Sequence, residues 1–256
     1  MSYRTLSIQR TDYVVVVTIL GPDDQEKMAQ LSNEVMDLCE EITRDENIRV
    51  MILGSPGGNT FSFEIDSTKS IPKSYNKPLV KCGFMAEPIA NLDRPVIAAI
   101  GGDAIGLGLE LVLACDIRIA TEISQFELPQ IKAGHIPWDG GTQRLSRLVG
   151  RGKALEMILT GEVIGAQEAL RIGLVNKVVP KKDLTEMTMK MAHEMASKGP
   201  IALRYTKEAV YKGMDMTLEQ GLRLEADLYL LIHTSKDRSE GIQAFREKKK
   251  PKFEGK

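Results

Sequence analysis

The sequence predicts an α/β fold in which a largely parallel sheet is covered by helices. Short β-branched or apolar runs alternate with amphipathic stretches through the first half of the chain, a pattern typical of repeated β-α-β units. The last third carries little strand signal and is predicted to be helical. A chain of 256 residues has room for one large domain, or for a domain with a small appendage.

The first β-α-β unit is the clearest. The β-branched run at 13–20 predicts a strand, and after a Gly-Pro-Asp turn the apolar residues at helical spacing over 28–42 predict a helix. A second strand is predicted at 50–53. A loop follows at 54–63, and the polar, lysine-rich segment at 67–79 is predicted to be irregular.

The middle of the chain continues the alternation. A strand is predicted at 96–100, a glycine-rich turn at 101–108, a helix at 109–114 and a strand at 116–120. Further helices are predicted at 140–149, 152–159, 166–172, 183–197 and 217–234, with a short strand at 174–179 and a final helical turn or two at 238–245. Thr217 and Gln220 have the spacing of a capping box at the start of the helix over 217–234. We therefore divide the chain into a β/α core, 1–195, and a C-terminal helical region, 196–256.

Composition excludes several classes of function. The formal net charge is -1 and the only basic block is Lys248 to Lys250, which argues against a nucleic-acid-binding surface. Cys39, Cys82 and Cys115 are odd in number and far apart, so neither a disulfide framework nor a structural metal site is predicted. The sequence shows no apolar run long enough for a membrane span and no signal core, so a cytoplasmic location is expected.

The glycine-rich turn that ends at Gly108 is the first candidate site. A strand that breaks at glycine and re-enters as a helix leaves backbone N–H groups free to bind a negative charge. Glu110 lies one turn into that helix among apolar neighbours, so it is predicted to be buried and to have a functional or pairing partner.

These motifs resemble the enoyl-CoA hydratase/isomerase (crotonase) superfamily. The resemblance rests on the stretch from Arg94 to Leu111, the segment from Cys115 to Ala120, and the runs at 141–145, 157–161 and 169–179. It implies a spiral of β-β-α turns with a C-terminal helical trimerisation region, assembled as a homotrimer or a dimer of trimers. It also implies an acyl-CoA thioester substrate, with no cofactor beyond the coenzyme A of the substrate.

Carried over position by position, the resemblance implies an oxyanion hole formed by the backbone N–H groups of Phe63 and Leu107. Glu110 matches the first of two catalytic glutamates that hydratases of this superfamily use. Residues predicted to contact the substrate or its coenzyme are Phe61, Asp66, Gly106, Trp138 and His233.

Three departures from the family pattern bear on the reaction. Glu64 replaces a glycine near the first oxyanion donor, and Gln130 stands where the second catalytic glutamate is usual. An amide can orient water but cannot exchange a proton as a carboxylate does. Gln130 is expected on an extended segment, where Glu127, three residues earlier, would point to the opposite face and so is not expected to substitute. The third departure is the pair Trp138 and Asp139, which resembles ring-acyl relatives in which that aspartate is catalytic.

Two roles for Asp139 stay open. It could supply the second carboxylate, or it could cap the helix predicted to begin at Gly140. The favoured function is a carbon-oxygen lyase that adds water reversibly to a 2-enoyl-CoA, with Glu110, Asp139 and Gln130 as candidate catalytic residues. The alternatives are a hydratase or carbon–carbon hydrolase acting on a cyclic acyl-CoA, and a catalytically weak acyl-CoA-binding homologue. Isomerisation is less favoured because the second glutamate is missing.

Overall fold

The structure is a computed structural model and describes residues 3–21, 25–55, 60–63 and 84–256. In chain order, the strands are β1 (Leu6–Thr11), β2 (Val14–Ile19), β3 (Val50–Gly54), β4 (Phe61–Phe63), β5 (Val96–Ile100), β6 (Ala104–Gly106), β7 (Ile117–Thr121), β8 (Gln125–Glu127), β9 (Ile164–Gly165) and β10 (Lys177–Val179). The helices are α1 (Gln25–Arg44), α2 (Ala86–Ala90), α3 (Leu107–Leu113), α4 (Gly141–Val149), α5 (Arg151–Thr160), α6 (Ala166–Arg171), α7 (Leu184–Ala196), α8 (Pro200–Met214), α9 (Leu218–Ile232) and α10 (Lys236–Arg246).

Within the described residues the strands form two sheets. The larger sheet has the order β1-β2-β3-β5-β7-β10, in which β1 and β2 pair antiparallel and the other neighbours pair parallel. The smaller sheet has the order β4-β6-β8-β9, with its first three strands parallel and β9 antiparallel. The predicted α/β class is confirmed.

The chain winds as a spiral between the two sheets. The strands β3, β5 and β7 belong to the larger sheet, and each is followed by a strand of the smaller sheet, β4, β6 or β8. After β6 the chain enters α3 directly, so the carboxyl end of this short strand lies next to the start of a helix. This is the β-β-α spiral that the resemblance implies.

The larger sheet is buried on both faces. On one side α7 packs against the apolar side chains of β2, β3, β5 and β7, with Leu184, Ala192 and Ala196 facing the sheet. On the other side α1, α2 and α3 bury a larger cluster that includes Leu31, Ile42 and Leu111. A parallel sheet covered in this way reads as nearly continuous apolar runs, as in the fully buried Val50–Gly54.

The C-terminal helices pack differently. Helix α8 lies against α9, and Lys207 of α8 ties this region to the core by donating to Asp116 Oδ2 at 2.8 Å and to the Arg94 carbonyl oxygen at 2.9 Å. Large apolar side chains on α8, α9 and α10 nevertheless stay exposed: Val210, Met214, Leu218, Leu222, Tyr229, Leu230, Leu231 and Phe245.

The sequence missed several short or irregular elements. Strands β1, β4, β6 and β9 were not predicted, and β4 and β6 fall in segments expected to be a loop and a turn. Helix α8 was also missed. Gln130 was placed on an extended segment, but it lies in a 3-10 helix, Pro129–Ala133. No helix in the described part of the chain is long and apolar enough to cross a membrane.

Candidate active site

The candidate site is built where β4, β6 and α3 meet. Phe63 pairs with Gly106 in the parallel ladder, and Leu107 begins α3 immediately after Gly106. Gly106 makes the reversal at φ 58° and ψ -122°, a conformation that L side chains rarely adopt. Phe63 therefore lies at the end of β4 beside the end of β6, where Leu107 begins α3, and neighbouring strands in a sheet are about 5 Å apart.

Gly108 fixes how closely α3 approaches β4. A Cβ atom at this position would lie 1.7 Å from the carbonyl oxygen of Phe61 and 2.5 Å from its carbonyl carbon. Only glycine permits this approach of a helix to a strand backbone. The same approach sets the spacing between the Phe63 and Leu107 backbones.

Glu110 is fully buried in α3 and its carboxylate is held on one side by backbone groups. Its Oε1 accepts hydrogen bonds from the N–H groups of Asp139 and Gly141, both at 2.8 Å. On the other side, Oε2 accepts from the side-chain Nε2 of Gln130 at 3.2 Å. The predicted burial of Glu110 is confirmed, and its partners come from the turn at 137–141 and the 3-10 helix.

Burial raises the pKa of the Glu110 carboxyl from its usual 4.5 to about 7. The N–H donors of Gly141 and Asp139 oppose this rise in pKa, while the neighbouring Asp139 carboxylate adds to it. A carboxyl with a pKa near neutrality can both accept and return a proton at physiological pH. Because Oε1 already accepts two N–H groups, the proton would be exchanged at Oε2.

Gln130 lies beside both the carboxylate and the glycine turn. A Cβ atom at Gly106 would lie 4.0 Å from Gln130 Nε2, the same atom that donates to Glu110. Its other terminal atom, Oε1, is buried and has no hydrogen-bond partner among the described residues. A buried acceptor without a donor is costly, so this oxygen marks a place where a polar ligand or water can bind.

Glu127 does not reach this group. Its carboxylate accepts from Lys132 Nζ at 2.5 Å in an ion pair at the protein surface. This agrees with the expectation that it does not replace the missing glutamate.

Asp139 is buried, with 3% of its surface exposed, but its carboxylate does not cap the helix that follows it. Oδ2 accepts from the N–H groups of Met85 and Ala86, both at 2.9 Å, at the start of α2. The N-cap of α4 is Gly140, which has no side chain to cap with. The capping role predicted from sequence is therefore wrong in its target: Asp139 caps a helix about fifty residues earlier in the chain.

Burial also raises the pKa of the Asp139 carboxyl, although the N–H groups of Ala86 and Met85 and the charge of Arg144 oppose the rise. Arg144 holds the same residue through its backbone by donating to the Asp139 carbonyl oxygen at 2.8 Å. Its guanidinium occupies the space where a Gly140 side chain would lie.

Trp138 has 37% of its surface exposed and packs against Phe84, with ring centroids 5.6 Å apart and planes tilted by 52°. Its backbone N–H also lies against the Glu110 carboxylate and helps to lower the pKa of that group. The site thus combines the buried Glu110 carboxylate with an exposed aromatic pair, Trp138 and Phe84.

The other predicted contacts have different positions. Phe61 is fully buried in the core, where its carbonyl faces Gly108. His233 is exposed at the end of α9, with its Nδ1 2.8 Å from the Tyr229 carbonyl oxygen, and is not brought to Glu110 by any described contact. Asp66 and Glu64 lie outside the described residues.

Sequence reasoning missed Gly141 as a member of the site. Its N–H binds Glu110, and a Cβ atom there would lie 2.9 Å from Glu110 Oε1 and 2.8 Å from Pro137 Cβ. The paired glycines at 140 and 141 gave a signal, because adjacent glycines often mark a close approach of the backbone to another group.

Known proteins resemble this chain over nearly its full length. The family model for enoyl-CoA hydratase/isomerase matches residues 9–256. The chain is 34% identical over 253 residues to (E)-benzylidenesuccinyl-CoA hydratase of Thauera aromatica, covering 98% of this chain and 99% of that protein. It is also 34% identical to crotonyl-CoA hydratase of Syntrophomonas wolfei, covering 99% of each.

Solved structures show the same fold. The crystal structure of an enoyl-CoA hydratase from Bacillus anthracis is 38% identical, covers 99% of this chain and 100% of its own, and superposes with a TM-score of 0.90. The predicted enzyme type, an enoyl-CoA hydratase-like carbon-oxygen lyase, is confirmed by these relatives. Their similarity spans both the spiral core and the C-terminal helices, and the chain therefore belongs to the enoyl-CoA hydratase/isomerase family.

Proposed function

We propose that this protein catalyses the reversible addition of water to a 2-enoyl-CoA, with Glu110 as the only group that exchanges protons. The observation that carries the proposal is the Glu110 carboxylate: fully buried, held at Oε1 by two N–H groups, and facing Gln130 at Oε2. The hydratase names of the relatives support the class of substrate.

The thioester oxygen would bind the backbone N–H groups of Phe63 and Leu107. Support comes from the pairing of Phe63 with Gly106, the residue before Leu107, and from the close packing enforced at Gly108. Charge develops on this oxygen when the double bond is attacked, and fixed donors stabilise it without reorganising. Losing one such donor typically costs about 3 kcal/mol in the transition state.

Gln130 would orient the attacking water. Its buried Oε1 lacks a donor among the described residues, and the neighbouring Glu110 Oε2 offers a second acceptor. A water molecule has two O–H groups, so it can donate one to each oxygen while a lone pair points at the substrate. This arrangement uses the amide for orientation only.

The reaction then needs one carboxylate. The water oxygen bonds to the β-carbon, its proton passes to Glu110 Oε2, and the π electrons move to the thioester oxygen as an enolate. Glu110 returns that proton to the α-carbon, which restores the carbonyl group and the ionised carboxylate. Every atom of water ends in the product. The proposal includes no cofactor, because each proton and charge is assigned to a group of the chain or to the substrate.

A cyclic or aryl acyl-CoA is the second candidate substrate class. The exposed pair Trp138 and Phe84 favours it, because aromatic faces bind flat apolar groups. A relative whose name specifies a benzylidene acyl group is 34% identical over nearly the full length. Proton transfer by Asp139 belongs to this alternative, in which it would supply the second carboxylate.

We also propose that the C-terminal helices mediate assembly into a homotrimer or a dimer of trimers. The support is the exposed apolar surface of α8, α9 and α10, where Leu218 is 79% exposed and Phe245 85% exposed. Contiguous apolar surface of this kind marks interaction sites in soluble proteins.

The test is the loss of conjugated-thioester absorbance with linear and cyclic 2-enoyl-CoA substrates, using the wild type, Glu110→Gln and a matched control, Glu127→Gln. Removing a general acid-base group typically costs about 10²- to 10⁴-fold, and we expect a loss of kcat in this range for Glu110→Gln alone. The Gln130 amide can rotate to accept from the new amide, so the variant should fold.

Full activity in Glu110→Gln would contradict the proposed mechanism. Turnover of cyclic but not linear substrates would favour the ring-acyl alternative. Coenzyme binding with no turnover of any thioester by the wild type would instead support a weakly catalytic homologue.

A further inference from the structure

The turn at 137–141 connects two parts of the site that are distant in sequence. The N–H of Asp139 donates to Glu110 Oε1, while the carboxylate of the same residue accepts from the N–H groups of Met85 and Ala86. One residue therefore binds the proposed acid-base group with its backbone and the start of α2 with its side chain.

Helix α2 depends on this contact at its N-terminus. Its N-cap residue is Met85, whose side chain makes no capping hydrogen bond. The first N–H groups of a helix lack acceptors within the helix, and a five-residue helix has few other bonds to hold it. Asp139 supplies the missing acceptor, although it is distant in sequence. A second contact joins the residues just before these, because Trp138 packs on Phe84.

Two further contacts hold the turn at 137–141 in place. Arg144 donates to the carbonyl oxygen of Asp139, and Gly141 packs so closely that a Cβ atom would lie 2.9 Å from Glu110 Oε1. A displacement of the start of α2 would therefore displace Asp139, and with it the N–H group that binds Glu110.

Resting on the proposed hydratase function, we propose that Asp139 is a positioning residue: it fixes the start of α2 to the turn that holds Glu110 and thereby orients the acid-base carboxylate, without exchanging a proton with substrate. Its Oδ2 accepts the two backbone N–H groups at the start of α2, as the carboxylate of a helix cap does. This role separates the chain from relatives in which an aspartate at this position is catalytic.

Three substitutions distinguish positioning from proton transfer: Asp139→Asn, Asp139→Glu and Asp139→Ala. Asparagine keeps an oxygen that accepts from both N–H groups but cannot carry a proton. Glutamate keeps a titratable group but places its oxygens one methylene further out. We expect Asn to retain kcat within about tenfold of the wild type and Glu to fall below it, because positioning errors alone can cost up to about 10²-fold.

The opposite result would overturn the proposal: an active Asp139→Glu, with the kcat of Asp139→Asn reduced by 10²-fold or more. A loss of that size is typical of a removed general acid or base. The pH profile gives a second readout. Asp139→Asn and Asp139→Ala both remove a charge that adds to the raised Glu110 pKa, so the acidic limb of kcat/KM should move toward lower pH in both variants. The position of the limb should differ between them, because only Asp139→Ala also takes the anchor from the turn that holds Glu110. An unchanged kcat in Asp139→Ala, with the acidic limb at the same pH as in Asp139→Asn, would also overturn the proposal.

Amide hydrogen exchange of residues 84–90 tests the link without substrate. We expect exchange there to be at least about fivefold faster in Asp139→Ala, the order expected for a lost N-cap, and unchanged in Asp139→Asn. If Asp139→Ala fails to fold, the rank order of Asn and Glu still decides the question. If the exchange pattern is as expected but the protein has no hydratase activity, the link between α2 and the turn is supported and only the proposed function is refuted.

Discussion

The surroundings of Glu110 and the surface of the C-terminal helices depart from the usual distribution of polar and apolar groups in opposite directions. In α3 an ionisable side chain has none of its surface exposed. In α9 and α10 the apolar side chains of Leu218, Leu230 and Phe245 are 79%, 64% and 85% exposed. Polar groups are normally outside and large apolar clusters inside, so each departure needs its own compensation.

The compensation differs between the two regions. Glu110 is compensated inside the chain, by the N–H groups of Asp139 and Gly141 and by Gln130. Nothing in the described residues covers the exposed apolar side chains of α9 and α10, which belong to the surface proposed for assembly. The buried carboxylate thus supports the proposed chemistry, and the exposed apolar surface supports the proposed association. Three changes test this contrast.

The largest effect is expected for Gly108→Ala, which attacks the packing that frames the carboxylate. The new Cβ atom would lie 1.7 Å from the Phe61 carbonyl oxygen, so α3 must move away from β4 and the Phe63 and Leu107 donors must separate. We expect kcat to fall about 10²- to 10³-fold, as when an oxyanion donor is lost. Overpacking should lower the free energy of unfolding by about 1–3 kcal/mol or more.

The matched control is Gly152→Ala. This glycine is also at the start of a helix, but a Cβ atom there meets nothing within 4 Å. Unfolding in denaturant and steady-state kinetics should show unchanged activity and stability raised by up to about 1 kcal/mol. Equal behaviour of the two variants would show that the tight approach at Gly108 is not what holds the site.

The second effect is a dependence on pH. The hydration reaction begins with ionised Glu110, whose pKa burial raises to about 7, so kcat/KM should fall about tenfold for each pH unit below 7. The measurement is a pH series of initial rates with a linear 2-enoyl-CoA. An acidic limb near pH 4.5, the usual pKa of a glutamate, would mean that burial does not raise the pKa of Glu110.

Stability should change with pH in the opposite sense. The unfolded chain releases the Glu110 proton near pH 4.5 and the folded chain near pH 7, so unfolding releases a proton between these values. The free energy of unfolding should therefore fall as pH rises through this window, by up to about 1.4 kcal/mol per pH unit from this group. Denaturant titrations should show that slope in the wild type relative to Glu110→Gln; parallel curves would contradict the burial argument.

The smallest effect is expected at the C-terminal surface. Leu230→Asp places a charge in the apolar surface of α9, and we expect the oligomer to dissociate with a dissociation constant raised at least about tenfold, because a buried leucine contributes about 1.5–3 kcal/mol. Sedimentation velocity over a concentration series measures this. Leu159→Asp is the control, since Leu159 is 61% exposed but lies on α5. Identical sedimentation of both variants and the wild type would refute the assembly proposal.

Local sequence was sufficient where neighbours in the chain supply the reason for a structure. The capping box predicted at Thr217 and Gln220 is present at the start of α9, because both partners lie within one helical turn. The apolar run around Glu110 correctly predicted its burial. The glycine turn followed from the spacing of glycines in the chain itself, whereas the spiral was implied by the resemblance of the motifs.

Local sequence failed where the partner is distant. The short strands β4 and β6 have only three residues each, too few to show a period, and they exist because each pairs with the other. Gln130 was expected on an extended segment, but its 3-10 helix turns the amide toward Glu110.

By itself, the sequence determined the α/β class and the burial of Glu110, because periodicity and apolar context are properties of neighbouring residues, while the resemblance of its motifs implied the family and the spiral. Only the tertiary structure decided what the Asp139 side chain binds. Its side chain is typical of an N-cap for the next helix, yet Gly140 intervenes and the carboxylate binds the N–H groups of Met85 and Ala86 instead. A carboxylate binds whichever unpaired donors the fold brings within hydrogen-bond reach, and those donors come from a helix about fifty residues away in the chain.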